Sequence, residues 1–288
     1  MTAALLQSLR PKQWTKNILV FAGYLFTIEQ KHPPGSLVNV LAAFGLFCTV
    51  SGASYLFNDV IDARRDRTHP RKCKRPIASG ALSARAALTF AAILFAAAIY
   101  ASFVLDFYFG ALVAGYCVLT CAYSAVLKHV VIVDLLVIAA GFVIRAVSGA
   151  VVIQVEISSW LLVCTTLLAL FLGIAKRRSE LVSLGDAGLD HRKTLGEYSA
   201  PMLDQMLSIT SSAALMAYCL YTFTGKTGAT HPYMMITLPF VIYGLFRYLF
   251  LVQTRNAGGS PELVLLEDRP MLINLILYVL AAALALRF

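Results

Sequence analysis

The sequence predicts an all-α membrane protein of about nine transmembrane helices, and three observations carry that expectation. Of 288 residues, 59% are hydrophobic and only 14% charged, with a mean hydropathy of +0.75, far from the balance of a soluble domain. The apolar residues gather in windows close to the ~20 residues that cross a ~30 Å hydrocarbon core. The Lys and Arg residues concentrate in alternate connecting segments, as the positive-inside rule requires.

The windows run over residues 17–28, 36–57, 84–105, 107–127, 130–153, 157–175, 201–223, 232–252 and 271–286. The first is short and must borrow length from its flanks. It follows basic residues as a signal peptide would, but Tyr24, Phe26 and Glu29 stand where small cleavage-site residues belong, so it is expected to remain as an uncleaved first helix. The second ends at Phe57, immediately before the most acidic stretch of the chain. The third and fourth are separated by Asp106 alone, which implies a very tight turn. In the fifth, Asp134, Gly141, Arg145 and Ser148 recur at helical spacing and make one polar, small-residue stripe. The last four windows are apolar runs whose charged residues are Asp204 near the start of the seventh and Arg247 in the eighth.

With the N-terminus cytoplasmic, 19 of the 24 Lys and Arg residues fall in inner segments. Lys31, Lys226 and Arg287 are outer, and Arg145 and Arg247 lie inside spans. This predicts a multi-pass inner (cytoplasmic) membrane protein with the N-terminus and both long loops on the cytoplasmic side. The net charge of +9 is thus a topology signal, and with no nucleic-acid motif beside it a nucleic-acid partner is not expected. Cys48, Cys117, Cys121, Cys164 and Cys219 sit in apolar windows as small hydrophobes, and Cys73 lies in a cytoplasmic loop. No CxxC or His-paired spacing suggests zinc or a disulfide framework.

A single polytopic domain, residues 1–288, is expected. The two long loops, 58–83 and 176–200, each follow an even-numbered helix. Helices 1–4 and 5–8 therefore read as parallel repeats with a ninth appended and a site between the halves.

The strongest chemical signal is Asn58-Asp59-Val60-Ile61-Asp62-Ala63-Arg64-Arg65-Asp66. Continued as helix, the spacing puts Asp59, Asp62 and Asp66 on one face, with Asn58 one turn from Asp62. Like charges at a helix C-terminus, itself partly negative, call for a cation. Magnesium takes one or two carboxylates, waters and phosphate oxygens, so a metal-bridged diphosphate suits this face. Asp59, Asp62 and Asp66 are the expected metal ligands and catalytic residues, with Asn58 as a possible fourth ligand. The competing reading is a solvated face neutralised by Arg64, Arg65 and Arg67. On the metal-site reading, removing one of three crowded carboxylates should leave unliganded stability unchanged or higher. Lys72 and Arg75, farther along the loop, can contact phosphate or serve as a membrane anchor. Arg145 either faces a polar cavity or locks two helices together, and Lys128 is near enough to the interface to snorkel.

Asn-Asp-x-x-Asp-x-x-x-Asp after a membrane helix, running on through His69-Pro70-Arg71-Lys72-Cys73-Lys74-Arg75-Pro76-Ile77-Ala78-Ser79-Gly80, resembles the UbiA superfamily of intramembrane polyprenyl transferases. Within it, the pattern is similar to the decaprenyl-phosphate phosphoribosyltransferase branch. Arg10-Pro11-Lys12-Gln13-Trp14-Thr15-Lys16-Asn17, Tyr123-Ser124 with Leu127-Lys128 and Asp134, Gly141 to Arg145, Lys176-Arg177-Arg178-Ser179-Glu180-Leu181 and Arg247-Tyr248 extend the resemblance over nearly the whole chain.

The resemblance implies a UbiA-type bundle around a cavity open to the bilayer and a requirement for Mg2+. The implied reaction is transfer of 5-phosphoribose from phosphoribosyl diphosphate to a polyprenyl phosphate. It carries Lys16, Asn58, Arg65, His69, Lys72, Arg75, Tyr123, Lys128, Asp134, Arg145, Lys176, Arg177 and Glu180 into substrate binding. Where aromatic prenyltransferases of the superfamily have a second aspartate-rich motif, this chain has Lys176-Arg177-Arg178-Ser179-Glu180; Asp186 and Asp190 keep an Asp-x-x-x-Asp spacing a few residues on. Two other readings stay open: a UbiA-type aromatic or lipid prenyltransferase that uses an allylic diphosphate, and a transporter.

Overall fold

The computed structural model describes residues 2–27, 32–68, 72–156, 158–184, 193–224, 230–259, 264 and 267–287, and all regular structure among them is helical. His69, Asp186, Asp190, Lys31 and Lys226 lie outside the described residues. Eight helices among those described are long and apolar enough to cross a membrane. Their lipid-sized faces carry exposed Tyr100, Val104, Phe107, Tyr108, Ile209 and Phe246, the burden that a bilayer, not water, covers. The chain is a multi-pass membrane protein. It divides into two compact units, 1–157 and 158–288.

The first unit opens with α1 (Thr2–Ser8), then a 3₁₀ helix, Pro11–Phe21, continued by α2 (Ala22–Phe26). This is the short first window, and it lies outside the eight counted spans. Wound as eleven 3₁₀ and five α residues, at about 2.0 and 1.5 Å per residue, it still reaches roughly 30 Å. α3 (Ser36–Asp66) follows, a single helix that continues through the acidic stretch as expected. α4 (Ala84–Leu105) starts on Ser83, whose hydroxyl accepts the Ala86 N–H. α5 (Phe107–Ala125) starts on Asp106, whose carboxylate accepts the Phe109 N–H at 2.7 Å. Asp106 thus ends one span and caps the next, which is how a one-residue turn suffices. α6 (Val133–Val152) closes the unit.

α3 packs on α4, α5, α6 and the 3₁₀ element, around Phe47, Val50, Phe109, Val113 and Tyr116. The 3₁₀ element lies directly on α6. A Cβ at Gly149 would fall 1.8 Å from the Val20 carbonyl oxygen, so only glycine lets the two backbones meet there. Nearer the end of α3, Ile77 and Leu82 from the following loop bury against Ala53, Leu56, Ala87 and Ala91. That anchor fixes the loop against the helix that carries the aspartates.

The second unit holds α7 (Ser159–Leu184), the short α8 (Lys193–Gly196), α9 (Ala200–Thr224), α10 (Leu238–Arg255), entered through a 3₁₀ turn at Pro232–Thr237, and α11 (Arg269–Arg287). α7 packs along α9, and α10 along α11.

Candidate active site

The acidic end of α3 is a charged cluster assembled from four separate segments. Asp59 is buried and accepts from Arg10 Nη2 at 2.5 Å and from Arg75 Nη1 at 3.1 Å. The same Arg75 nitrogen reaches Asp66 Oδ2 at 2.6 Å. Lys128, nearly buried in the 3₁₀ turn after α5, donates to Asp62 Oδ1 at 2.7 Å and to Asn58 Oδ1 at 3.4 Å. The three carboxylates therefore divide two and one. At about 100° per residue, Asp59 and Asp66 lie within roughly 20° of each other around the helix, while Asp62 is about 60° from Asp59 and about 40° from both Asp66 and Asn58. What sets Asp62 apart is its cation, Lys128, which it shares with Asn58.

These pairings bear on the competing solvated-face reading and on what removing a carboxylate should do. Arg64, Arg65 and Arg67 are exposed, and the counter-ions are Arg10, Arg75 and Lys128 instead. Because every carboxylate has a cation, deleting one strips a partner from a charge and does not relieve crowding, so unliganded stability should fall. Arg10 was not among the expected site residues; the only sequence signal for it is its place at the head of the Arg10–Asn17 motif.

The remaining assignments lie at several depths. Asp134 is fully buried in the first turn of α6, where the helix dipole favours a carboxylate. Between it and Lys128, Ile132 takes a left-handed φ of 68°, a costly conformation for a β-branched residue. Lys16, Lys72 and Tyr123 are half-buried. Arg145 is buried and satisfied internally. Its Nε donates to Asn17 at 2.7 Å, Nη1 to the Gly141 carbonyl at 2.9 Å and Nη2 to the Tyr116 hydroxyl at 2.5 Å, while the guanidinium lies over the Tyr116 ring. Ser51 also donates to Asn17. This network ties the first element, α3, α5 and α6 together, the locking geometry weighed for Arg145 above.

In the second unit, Arg177 is buried and donates to Glu180 at 2.7 Å one turn on. Lys176 is half-buried. Arg178 reaches Asp204 of α9 and the Val252 carbonyl of α10.

Among the described residues no group of three or more His, Cys, Asp or Glu is placed to hold a metal. Two carboxylate oxygens, from Asp59 and Asp66, do converge on one cationic nitrogen of Arg75. That fits a divalent ion with two protein carboxylates whose other ligands are water and phosphate, the usual set for magnesium.

Comparison with known proteins shows the family and the fold. The model of the UbiA prenyltransferase family matches residues 17–276. A decaprenyl-phosphate phosphoribosyltransferase of Corynebacterium glutamicum is 33% identical over 98% of this chain and 86% of its own length. The protein of the same name from Mycolicibacterium smegmatis is 30% identical over 95% of this chain and 89% of its own. Among solved structures, a UbiA homologue from Archaeoglobus fulgidus bound to GPP and Mg2+ superposes with a TM-score of 0.74 at 19% identity, covering 99% of this chain and 100% of that one.

Proposed function

This chain belongs to the UbiA prenyltransferase family, and we propose that it transfers 5-phosphoribose from phosphoribosyl diphosphate to a polyprenyl phosphate, releasing diphosphate. The observation that carries the reading is the end of α3, where carboxylates able to share a divalent ion stand among cations able to hold phosphate. The two relatives' names support the phosphoribosyl donor and the decaprenyl-type acceptor. The metal-bound fold neighbour supports magnesium.

Asp59 and Asp66 would hold the magnesium, with Asp62 and Asn58 on the adjoining facet. The bound ion would supply neutralisation of charge on the departing diphosphate. Arg75 and Lys72 grip donor phosphate, and Lys128 orients Asp62. The acceptor's phosphate oxygen forms the new bond to ribose C1 as the bond from C1 to the diphosphate oxygen breaks. That oxygen is anionic at neutral pH, so no strong general base is needed, and the residues act by positioning and electrostatics. On the resemblance alone, Lys16, Arg65, His69, Tyr123, Asp134, Arg145, Lys176, Arg177 and Glu180 are assigned to substrate recognition. The partition of basic residues supports a cytoplasmic location for the aspartate end and a place in the inner membrane.

The test is a magnesium-dependent assay of purified protein with radiolabelled phosphoribosyl diphosphate and polyprenyl phosphates of several lengths. Neutralising Lys72 or Arg177 should weaken the donor by about 1.5–3 kcal/mol per lost charged hydrogen bond, with less effect on the acceptor. Turnover of allylic diphosphates onto an aromatic acceptor, with no protection by phosphoribosyl diphosphate, would overturn the reading in favour of an aromatic prenyltransferase.

A further inference from the structure

Beside Asp59 lies a cavity of about 250 Å³ lined by Gln7, Ser8, Arg10, Asp59, Lys74 and Arg75. Three cations face a single carboxylate there. Lys74 is exposed and has no partner among the described residues, so the cavity wall holds positive charge that its own acids do not match.

Arg10 is held over this cavity by packing. Its backbone is left-handed, φ 52° and ψ 63°, a conformation that costs a non-glycine residue about 1 kcal/mol or more. Its guanidinium rests 4.8 Å above the Tyr55 ring, one turn before Asp59 on α3. The preceding Leu9 is wedged against Gly52, where a Cβ would fall 2.8 Å from Leu9 Cδ2, and its carbonyl accepts from the Trp14 indole at 3.2 Å. A strained, triply braced arginine whose charge sits on Asp59, the carboxylate proposed above to hold metal, needs a reason beyond connecting two helices.

We propose that Arg10 is an exchangeable counter-ion. It covers Asp59 before the donor binds, and with Lys74 it moves onto a phosphoryl group of the donor when a divalent cation takes Asp59. The inference rests on the diphosphate-donor reading above. Its physical basis is charge balance: a divalent ion arriving alone would leave the displaced guanidinium facing added positive charge, whereas an ion joined to diphosphate brings that guanidinium an anion. Ion and diphosphate should therefore bind cooperatively, with Arg10 as part of the coupling.

The experiment measures binding of manganese, as a spin-active replacement for magnesium, to the purified full-length protein by electron paramagnetic resonance. It is run alone, with inorganic diphosphate and with phosphoribosyl diphosphate. Arg10→Gln should tighten manganese alone about threefold or more, because the competing cation is gone, and weaken each diphosphate in the presence of manganese by about tenfold. Arg10→Lys should recover most of the diphosphate affinity. Tyr55→Leu, which removes the shelf and keeps the charge, should shift manganese affinity in the same direction as Arg10→Gln and serves if that variant does not fold. Loss of both affinities together would reduce Arg10 to a structural residue, and no change in either would make it a bystander; each overturns the proposal. Opposite shifts with inorganic diphosphate, while phosphoribosyl diphosphate binds no better than it, would uphold Arg10 exchange and refute the phosphoribosyl donor.

Discussion

The acidic end of α3 and the basic end of α7 handle charge in opposite ways. At α3, the acids are consecutive turns of one helix and their cations come from 49, 16, 9 and 66 residues away. At α7, Arg177 finds its acid three residues on, and Arg178 finds one 26 residues on in the neighbouring helix. Long-range convergence of several segments on one helix end must be specified by the whole fold, and it leaves a cavity with unmatched charge. A single pair between neighbouring helices, as Arg178 makes with Asp204, specifies a brace. The comparison teaches that the charge content of a loop says less about a site than the number of independent segments that bring it.

The largest effect should come from the α3 cluster. Asp59→Asn or Asp62→Asn should lower turnover about a hundredfold or more. Asp59→Asn should also lower unliganded stability by about 1–3 kcal/mol, since it strips the partner from Arg10 and one of two partners from Arg75; both are roughly a quarter exposed, which keeps the loss below that of a fully buried pair. Calorimetry of the variant without ligand checks this, and a rise in melting temperature would restore the crowded-carboxylate picture. Next, Lys128→Gln should cut kcat/KM by about 10- to 100-fold, and an unaffected enzyme would remove Lys128 from the site.

At α7, Arg178→Lys or Asp204→Asn should cost about 1 kcal/mol of stability, because Asp204 is partly exposed, and should leave the donor KM unchanged. A raised KM would break the distinction between site and brace. The smallest effect concerns Asp268, just before α11. The hydrogen bond from Arg247 holds its carboxyl below the usual carboxylate range, and burial acts against this. The unfolded chain takes up that proton at a higher pH than the folded one. The pair's contribution is therefore full above about pH 4 and is lost as pH falls through the lowered folded value. Asp268→Asn should flatten that acid limb in melting temperatures measured between about pH 3 and 6.

Much of the fold was legible because a hydrocarbon solvent writes itself into composition. The window 84–105 coincides with α4, and α3 runs on through Asp66 as the reading of the aspartate spacing assumed. The first element was legible as apolar but not as a 3₁₀ helix, since tighter winding depends on contacts such as Gly149 against Val20. At the site, the acids were readable because they are local. Their partners were not: nothing within the Asn58–Asp66 stretch points to Arg10, and the nearby arginines that seemed to answer it face outward.

The length of α3 has a consequence for the membrane around it. Its apolar portion, residues 36–57, measures about 33 Å at 1.5 Å per residue, close to the thickness of an ordinary hydrocarbon core. Asn58 and Asp59 begin where that portion ends. A thicker bilayer would have to thin locally or draw those side chains toward lipid tails, at a cost of fractions of a kcal/mol for each ångström of mismatch. The helix thus ties catalysis to the acyl chains of the host membrane, and the enzyme should work best in lipids whose length matches that single run of apolar residues.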